Sequence, residues 1–406
     1  MTQPRLALAA MLAVQVLATL ALSAASVLAP AVAPRLGLAP ERVGLYAALA
    51  YLTAMAFGLR SGRWVARWGA LPLCRAALLA AAAGAALAAV APEGAAAAAA
   101  AALLAAAALI GLGYGLVNPA AAAVLGHHAP PTARGLYFSI KQTGVPLGVA
   151  VAGLLLPAGL AWLDWRATAF GVALACMAAA LAAGRLRKRL EPPTAVASAD
   201  GALALLRQVW HTPGLRRLSL TSLGYAFTQQ AFVTFLVSLL NLQLGWTLAA
   251  AAATLSVSQG VATLARIGFG ALADRTGAPG RLLVQLGAAM SLACAALAAL
   301  AAAGPAGGAL PAVAVALLCA ATAMGWNGVF FAELAWHVPR EAMARVSGAT
   351  QVFTFAGGMA GPLLFGEALR AGSGWAPAYA LLALVPAAAA VTMARGGRAT
   401  RAPLSP

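Results

Sequence analysis

Twelve apolar runs, each about as long as a membrane-spanning helix, divide the chain of 406 residues. They cover roughly residues 6–29, 43–60, 74–91, 96–125, 135–157, 167–184, 216–241, 249–271, 281–303, 309–336, 346–369 and 376–395. About 20 apolar residues carry a helix across the hydrocarbon core of a bilayer. Inside that core the backbone must satisfy its own hydrogen bonds, which leaves helices or closed barrels as the spanning elements. Only 9% of the residues are charged, where a soluble domain uses about 25%. The expected fold class is therefore all-α and integral to the membrane, with twelve transmembrane helices. The first run exceeds the ~7–15 apolar residues of a cleaved secretion signal, so it reads as a retained span.

The formal charge of +17 does not point to nucleic acid, because the arginines sit in short loops rather than on a continuous basic face. They sort by side of the membrane instead. With the N-terminus inside, the opposite side holds only Arg35, Arg42, Arg166 and Arg370. The positive-inside rule then places both termini in the cytoplasm. The longest hydrophilic stretch, "RLRKRLEPPTAVASADG", follows span six and has the charge, proline and small polar residues of a linker. The expected organisation is a six-helix bundle over 1–184, a cytoplasmic linker over 185–215, and a second six-helix bundle with a short basic tail over 216–406. Alanine richness and arginine in place of lysine suggest a GC-rich bacterial genome, hence the cytoplasmic (inner) membrane.

Two short segments recur half a chain apart. "GRWVARWG" at 62–69 follows span two and "GALADRTG" at 270–277 follows span eight. Gly135, Gly144 and Gly148 of span five have the spacing of Gly348, Gly357 and Gly361 of span eleven. A parallel repeat of this length describes two like bundles related by an axis along the membrane normal. These segments resemble the major facilitator superfamily, whose loop motif reads G-x-x-x-D-R-x-G-R-[RK]. The resemblance implies a pseudo-twofold six-plus-six arrangement and alternating access. It assigns conformational latches to Gly62, Arg67 and Gly69, and to Gly270, Asp274, Arg275 and Gly277. Ala66 stands where the first copy should carry aspartate, which weakens that half of the latch. The latch glycines are expected to let two helices approach closely. The segment "GATQVFTFAGGMAGPLLFG" resembles the family's antiporter motif, with Gly357, Gly361 and Pro362 in place. Span five keeps Gly144 and Gly148 but has Val149 at the proline position. Drug/proton antiporters carry that motif on span five and an arginine on span four, where this chain has Ala107. Proton-driven drug or metabolite efflux is thus the alternative function.

Polar residues within the spans mark where a solute would bind. Gln15, Thr19, Ser23 and Ser26 share one face of span one, and Ser256, Gln259, Thr263 and Arg266 share one face of span eight. Tyr114 and Asn118 pair on span four, Tyr225, Thr228 and Gln229 on span seven, and Trp326, Asn327, Phe330, Glu333 and His337 on span ten. Singly, each suits a helix–helix hydrogen bond; together they outline a polar cavity. An ionised side chain at the bilayer centre costs about 2.5–3.5 kcal/mol on insertion scales. Lys141, followed by Gln142, is therefore read as a ligand for substrate or a charge-pair partner, or as an anchor that snorkels to the interface. Glu333 is read as a proton carrier, as a partner of Lys141 or Arg266, or as a cap on a loop arginine. His127 and His128 read as loop residues.

The sequence has no catalytic triad, nucleotide loop or metal-ligand spacing, so neither an enzyme nor a cofactor is expected. The expected protein is a monomeric, proton-coupled secondary transporter of a small polar or anionic solute, such as an organic acid. Its partners are that solute, protons and membrane lipid.

Overall fold

The computed structural model describes residues 2–130, 134–192, 202–338 and 343–395. Among them, twelve helices are long and apolar enough to cross a membrane, and every expected span is one of the twelve. The chain divides into two compact units. One contains Met1–Ser198 with Thr247–Ser256, the other Ala199–Trp246 with Val257–Pro406.

The first unit contains α1 (Gln3–Val32), α2 (Val43–Trp68), α3 (Ala70–Ala89), α4 (Ala96–His128), α5 (Arg134–Gln142), α6 (Gly144–Trp162) and α7 (Trp165–Leu190). Helix α4 packs between α2 and α3, α3 also packs on α7, and α6 lies along α1. Lipid tails are as apolar as leucine, so helices in a bilayer associate through close packing rather than through exclusion of water. The "GLGYG" stretch of α4 supplies that closeness. A Cβ added at Gly111 or Gly115 would overlap the α2 carbonyls of Ala50 or Ala54, and one at Gly113 would overlap the Ala77 carbonyl of α3.

The second unit contains α8 (Ala202–His211), α9 (Pro213–Ser238), α10 (Leu248–Thr276) from Val257 onward, α11 (Pro279–Ala303), α12 (Ala309–His337), α13 (Met343–Arg370) and α14 (Trp375–Ala394). A π turn over Leu239–Gln243 ends α9. Helix α13 lies along α9, and α11 packs on α12 and α14. A Cβ at Gly357 would overlap the Leu223 carbonyl and one at Gly361 the Phe227 carbonyl, both on α9. The pairing of α13 with α9 repeats the pairing of α6 with α1.

Three sequence readings need correction. The "GRWVARWG" and "GALADRTG" segments are not loops but the last turns of α2 and α10. Only Gly69 (φ +96°) and Gly277 (φ +59°) leave the helix. Nothing before them breaks the backbone ladder, and arginine in a last turn favours the helix C-terminus electrostatically. His127 and His128 likewise lie in the last turn of α4 rather than in a loop. Span five stays one span but its hydrogen-bond ladder is interrupted at Thr143, which joins α5 to α6 with helical backbone (φ −65°, ψ −15°). Pro146 has no N–H for the Gln142 carbonyl, and the Thr143 N–H instead donates to Ile140 at 3.1 Å. Of the expected linker over 185–215, residues 193–201 lie outside the described residues; before them α7 runs through the basic residues to Leu190, and after them α8 packs against α9 and α13.

Gly357→Leu should prevent close packing of α13 on α9, at a cost above the ~1–3 kcal/mol typical of overpacking, because the obstacle is backbone. An added Cβ at Gly348 meets nothing within 4 Å. Thermal unfolding of detergent-purified protein should show Gly357→Leu unfolded or strongly shifted and Gly348→Ala near wild type. Equal behaviour of the two would contradict this packing.

Candidate functional site

Each unit carries its own polar cluster. In the first, Lys141 lies in the last turn of α5, two residues before Thr143, and its side chain is 3% exposed. Its Nζ donates to Gln15 Oε1 at 2.7 Å and to Asn118 Oδ1. Gln15 in turn donates from Nε2 to Thr19 Oγ1 at 3.2 Å. The geometry follows from the backbone. An added Cβ at Gly144 would sit 2.8 Å from the Gln15 Cβ, and one at Gly148 would sit 2.6 Å from the Thr19 Cβ. Glycine at these positions lets α6 approach α1 closely enough for Lys141 to reach Gln15. The ammonium does not extend to solvent, so the snorkelling reading does not describe this structure. Tyr114, one turn before Asn118, is buried and meets Tyr51 edge to face at 6.2 Å. Gln142 is partly buried next to Lys141. The thiol of Cys74 donates to Met11 Sδ at 3.8 Å.

In the second unit the cluster is amide and aromatic. Gln229 Oε1 accepts from Trp326 Nε1 at 3.1 Å and from Asn327 Nδ2 at 3.5 Å. Trp326 is edge-on to both Tyr225 and Phe330, with ring centroids 5.8 Å away in each case. The Tyr225 hydroxyl donates to the Leu283 carbonyl at 2.6 Å. Gln259 is 1% exposed, and neither its Oε1 nor its Nε2 has a hydrogen-bond partner. A buried polar group without a partner costs about 1–3 kcal/mol. Arg266 donates from Nε to the Met324 carbonyl at 3.3 Å.

The charges are distributed differently from the pairing of Glu333 with Lys141 or Arg266 considered above. Glu333 accepts from His337 Nε2 at 3.2 Å. Its carboxylate also lies over the first turn of α11, where an added Cβ at Gly280 would be 3.0 Å from Oε2. The first unit has a matching feature that sequence reasoning missed. Glu191, just beyond α7, accepts from the backbone N–H groups of Ala70 at 2.5 Å and Leu71 at 3.1 Å. Each helix that follows a repeated "G-x-x-x-[A/D]-R-x-G" segment thus has a carboxylate at its N-terminus, where the helix dipole favours negative charge. The signal was the missing acid at Ala66, which left Glu191 as the nearby carboxylate on a stretch otherwise read as basic.

Among the remaining latch residues, Gly62, Arg67, Asp274, Arg275 and Gly277 are exposed and Gly270 is half-buried. A Cβ at Gly62 or Gly270 meets nothing within 4 Å, while one at Gly328 of α12 would lie 3.7 Å from the Gly270 Cα. Pro362 is buried in α13 beside Gly361. Among the described residues no group of His, Cys, Asp and Glu could hold a metal ion, and the four cysteines are buried free thiols.

Glu191→Gln should lose the charge at the α3 N-terminus and lower stability by about 1 kcal/mol. Thermal unfolding would check this against Glu41→Gln, which should stay near wild type. A Glu191→Gln transition indistinguishable from that control would contradict the assignment.

Comparison with known proteins completes the picture. The profile of the Major Facilitator Superfamily matches residues 11–362. Two uncharacterized MFS-type transporters of Mycobacterium tuberculosis, from strains CDC 1551 and H37Rv, are each 29% identical over 182 residues. That match spans 44% of this chain and 40% of each relative. The fold is similar to a bacterial homologue of the human lysosomal transporter Spinster, in an inward-facing, unoccupied conformation. There the TM-score is 0.72 and the identity 16%, over 97% of this chain and 95% of that one. It is also similar to a POT family transporter in complex with 5-aminolevulinic acid, with a TM-score of 0.73 and 14% identity over 96% of this chain and 95% of that one. With twelve helices long and apolar enough to cross a membrane, an internal repeat and a family match over most of its length, the chain belongs to the Major Facilitator Superfamily.

Proposed function

We propose that this transporter moves a small polar or anionic solute, such as an organic acid, across the bacterial cytoplasmic membrane by proton-coupled alternating access. The observation that carries the reading is the setting of Lys141. An ammonium has three N–H donors. Two of them are directed at the neutral amide oxygens of Gln15 and Asn118, so a third donor and the charge itself remain for a ligand. A carboxylate fits both needs, because charge-assisted hydrogen bonds are about twice as strong as neutral ones. Gln142 and Tyr114 flank that position in the same unit.

Within the second unit by itself, Gln229, Gln259, Trp326 and Asn327 form a neutral cluster suited to a polar solute. The unpartnered amide of Gln259 supports this, since a solute's polar groups or its water would relieve the cost of that burial. Arg266 is a second cation for an anionic solute or a counter-charge for an acid. The Glu333–His337 pair supplies a carboxylate and an imidazole at 3.2 Å, a suitable place for a proton to be taken up and released. Crystal structures of similarly folded POT proteins hold 5-aminolevulinic acid or sulfate, which supports a small charged ligand here. The choice of ligand for this chain rests on Lys141. The latch segments ending α2 and α10 would hold access states shut, and the protein would work as a monomer. Drug efflux remains the second reading, favoured by the Tyr225–Trp326–Phe330 aromatic cluster.

Proteoliposomes should show saturable counterflow of an organic anion that responds to a pH gradient. Lys141→Met should lower that flux about ten- to a hundredfold, as expected when a hydrogen bond to a charged group is lost. Glu333→Gln should leave counterflow intact while removing the response to the pH gradient. Full flux in Lys141→Met would end the anion reading, and uptake of lipophilic cations by the wild type would favour efflux.

A further inference from the structure

An apolar groove of the first unit lies beside the latch segment that ends α2. Toward the Arg60 end of α2, Phe57, Trp64 and Trp68 form an aromatic ladder. Phe57 and Trp64 have ring centroids 5.7 Å apart, and Trp64 stacks on Trp68 at 5.7 Å and 21°. Opposite the ladder α3 presents only Pro72, Leu73 and Ala76, and α4 closes the floor with Leu112 and Leu116. The space between is an apolar groove of about 340 Å³. That is within the ~300–1,000 Å³ of small-molecule sites.

Charge gathers at the same end of the groove. Arg60 and Arg67 are the i−4 and i+3 neighbours of Trp64, so both side chains emerge beside its ring. The Arg67 guanidinium lies 5.9 Å from the Trp68 ring centroid, and Arg60 donates back to the Ala56 carbonyl at 3.1 Å. Both arginines are exposed. No acid offsets them on this turn, because residue 66 is alanine. Glu191, nearby at Ala70, is already engaged by the amides of Ala70 and Leu71.

Along α2 the rings of Phe57, Trp64 and Trp68 alternate with Arg60 and Arg67, so the groove presents apolar wall, aromatic ring and cation together, the three features that an acyl chain, interface and headgroup require. Aromatic rings favour the headgroup level of a bilayer, and basic pockets between transmembrane helices bind anionic headgroups. We propose that the groove between α2 and α3 is a binding site for one anionic phospholipid. An acyl chain would lie against Phe57, Leu112 and Leu116, and the headgroup phosphate would sit on Arg60 and Arg67. A zwitterionic lipid would fit the walls equally well but bring its own cation to the arginines. The site therefore selects by headgroup charge, unlike an ordinary lipid-facing surface.

Native mass spectrometry of the intact protein, presented with equal phosphatidylglycerol and phosphatidylcholine of matched acyl chains, tests this directly. Wild type should retain phosphatidylglycerol preferentially. The preference should fall about fivefold for each of Arg60→Gln and Arg67→Gln, the effect expected of a basic residue near the surface. Trp64→Ala with Trp68→Ala should reduce retention of both lipids. The double variant Arg187→Gln, Arg189→Gln, which removes exposed charge from the end of α7, should keep the preference. An unchanged preference in the Arg60 and Arg67 variants would overturn the proposal, as would an equal loss in the α7 control.

Discussion

Close approach of backbone to backbone at glycine is the interaction on which the rest of this structure depends. Within lipid there is little hydrophobic force between helices, so contact must come from packing and hydrogen bonds. Helix α4 meets α2 and α3 through Gly111, Gly113 and Gly115, and α13 meets α9 through Gly357 and Gly361. The pairing of α6 with α1 through Gly144 and Gly148 belongs to the same set, and its consequence is chemical. It brings α1 so near that a lysine three residues before Gly144 reaches Gln15, while Asn118 of α4 holds the same ammonium. The packing that builds the bundle also places the charge.

The two units use one helix pairing for different chemistry. Where the first has Lys141 on Gln15, the second has Thr354 of α13 donating to Ser222 of α9 at 3.3 Å. The first thus holds a cation among amides, and the second a neutral set of glutamine, asparagine and tryptophan. At the basic ends of the helices the units converge again, with Glu191 on α3 and Glu333 on α11. The two carboxylates come from different helices, α7's end and α12. The repeated segments therefore share a physical requirement at the following helix rather than a shared acidic residue.

Much of the fold was legible in the sequence because membrane spans announce themselves by length and composition. Segments such as "GLGYG" and the spacing of Gly357 and Gly361 mark where helices touch. Helix ends were less legible, since "GRWVARWG" contains no breaker before its final glycine and continues as helix. The break at Thr143 needed attention to Pro146 and its missing N–H rather than to hydropathy. For the site, the polar residues were visible but their partners were not. Hydropathy offers no way to tell that Lys141 meets Gln15 and Asn118, or that Glu333 meets His337, because those contacts depend on helix rotation. Glu191 was hidden by its neighbours, lying at the end of a basic run whose charges suggested only topology.

The central claim is that Lys141 is held in place to receive an anion. The most direct measurement is equilibrium binding of small carboxylates to purified protein by isothermal titration calorimetry, comparing wild type with Lys141→Gln. The account predicts that an organic anion binds wild type and loses affinity about ten- to a hundredfold in the variant, while the melting temperature without ligand stays close. Equal affinity in both proteins, or binding only of neutral solutes, would contradict it.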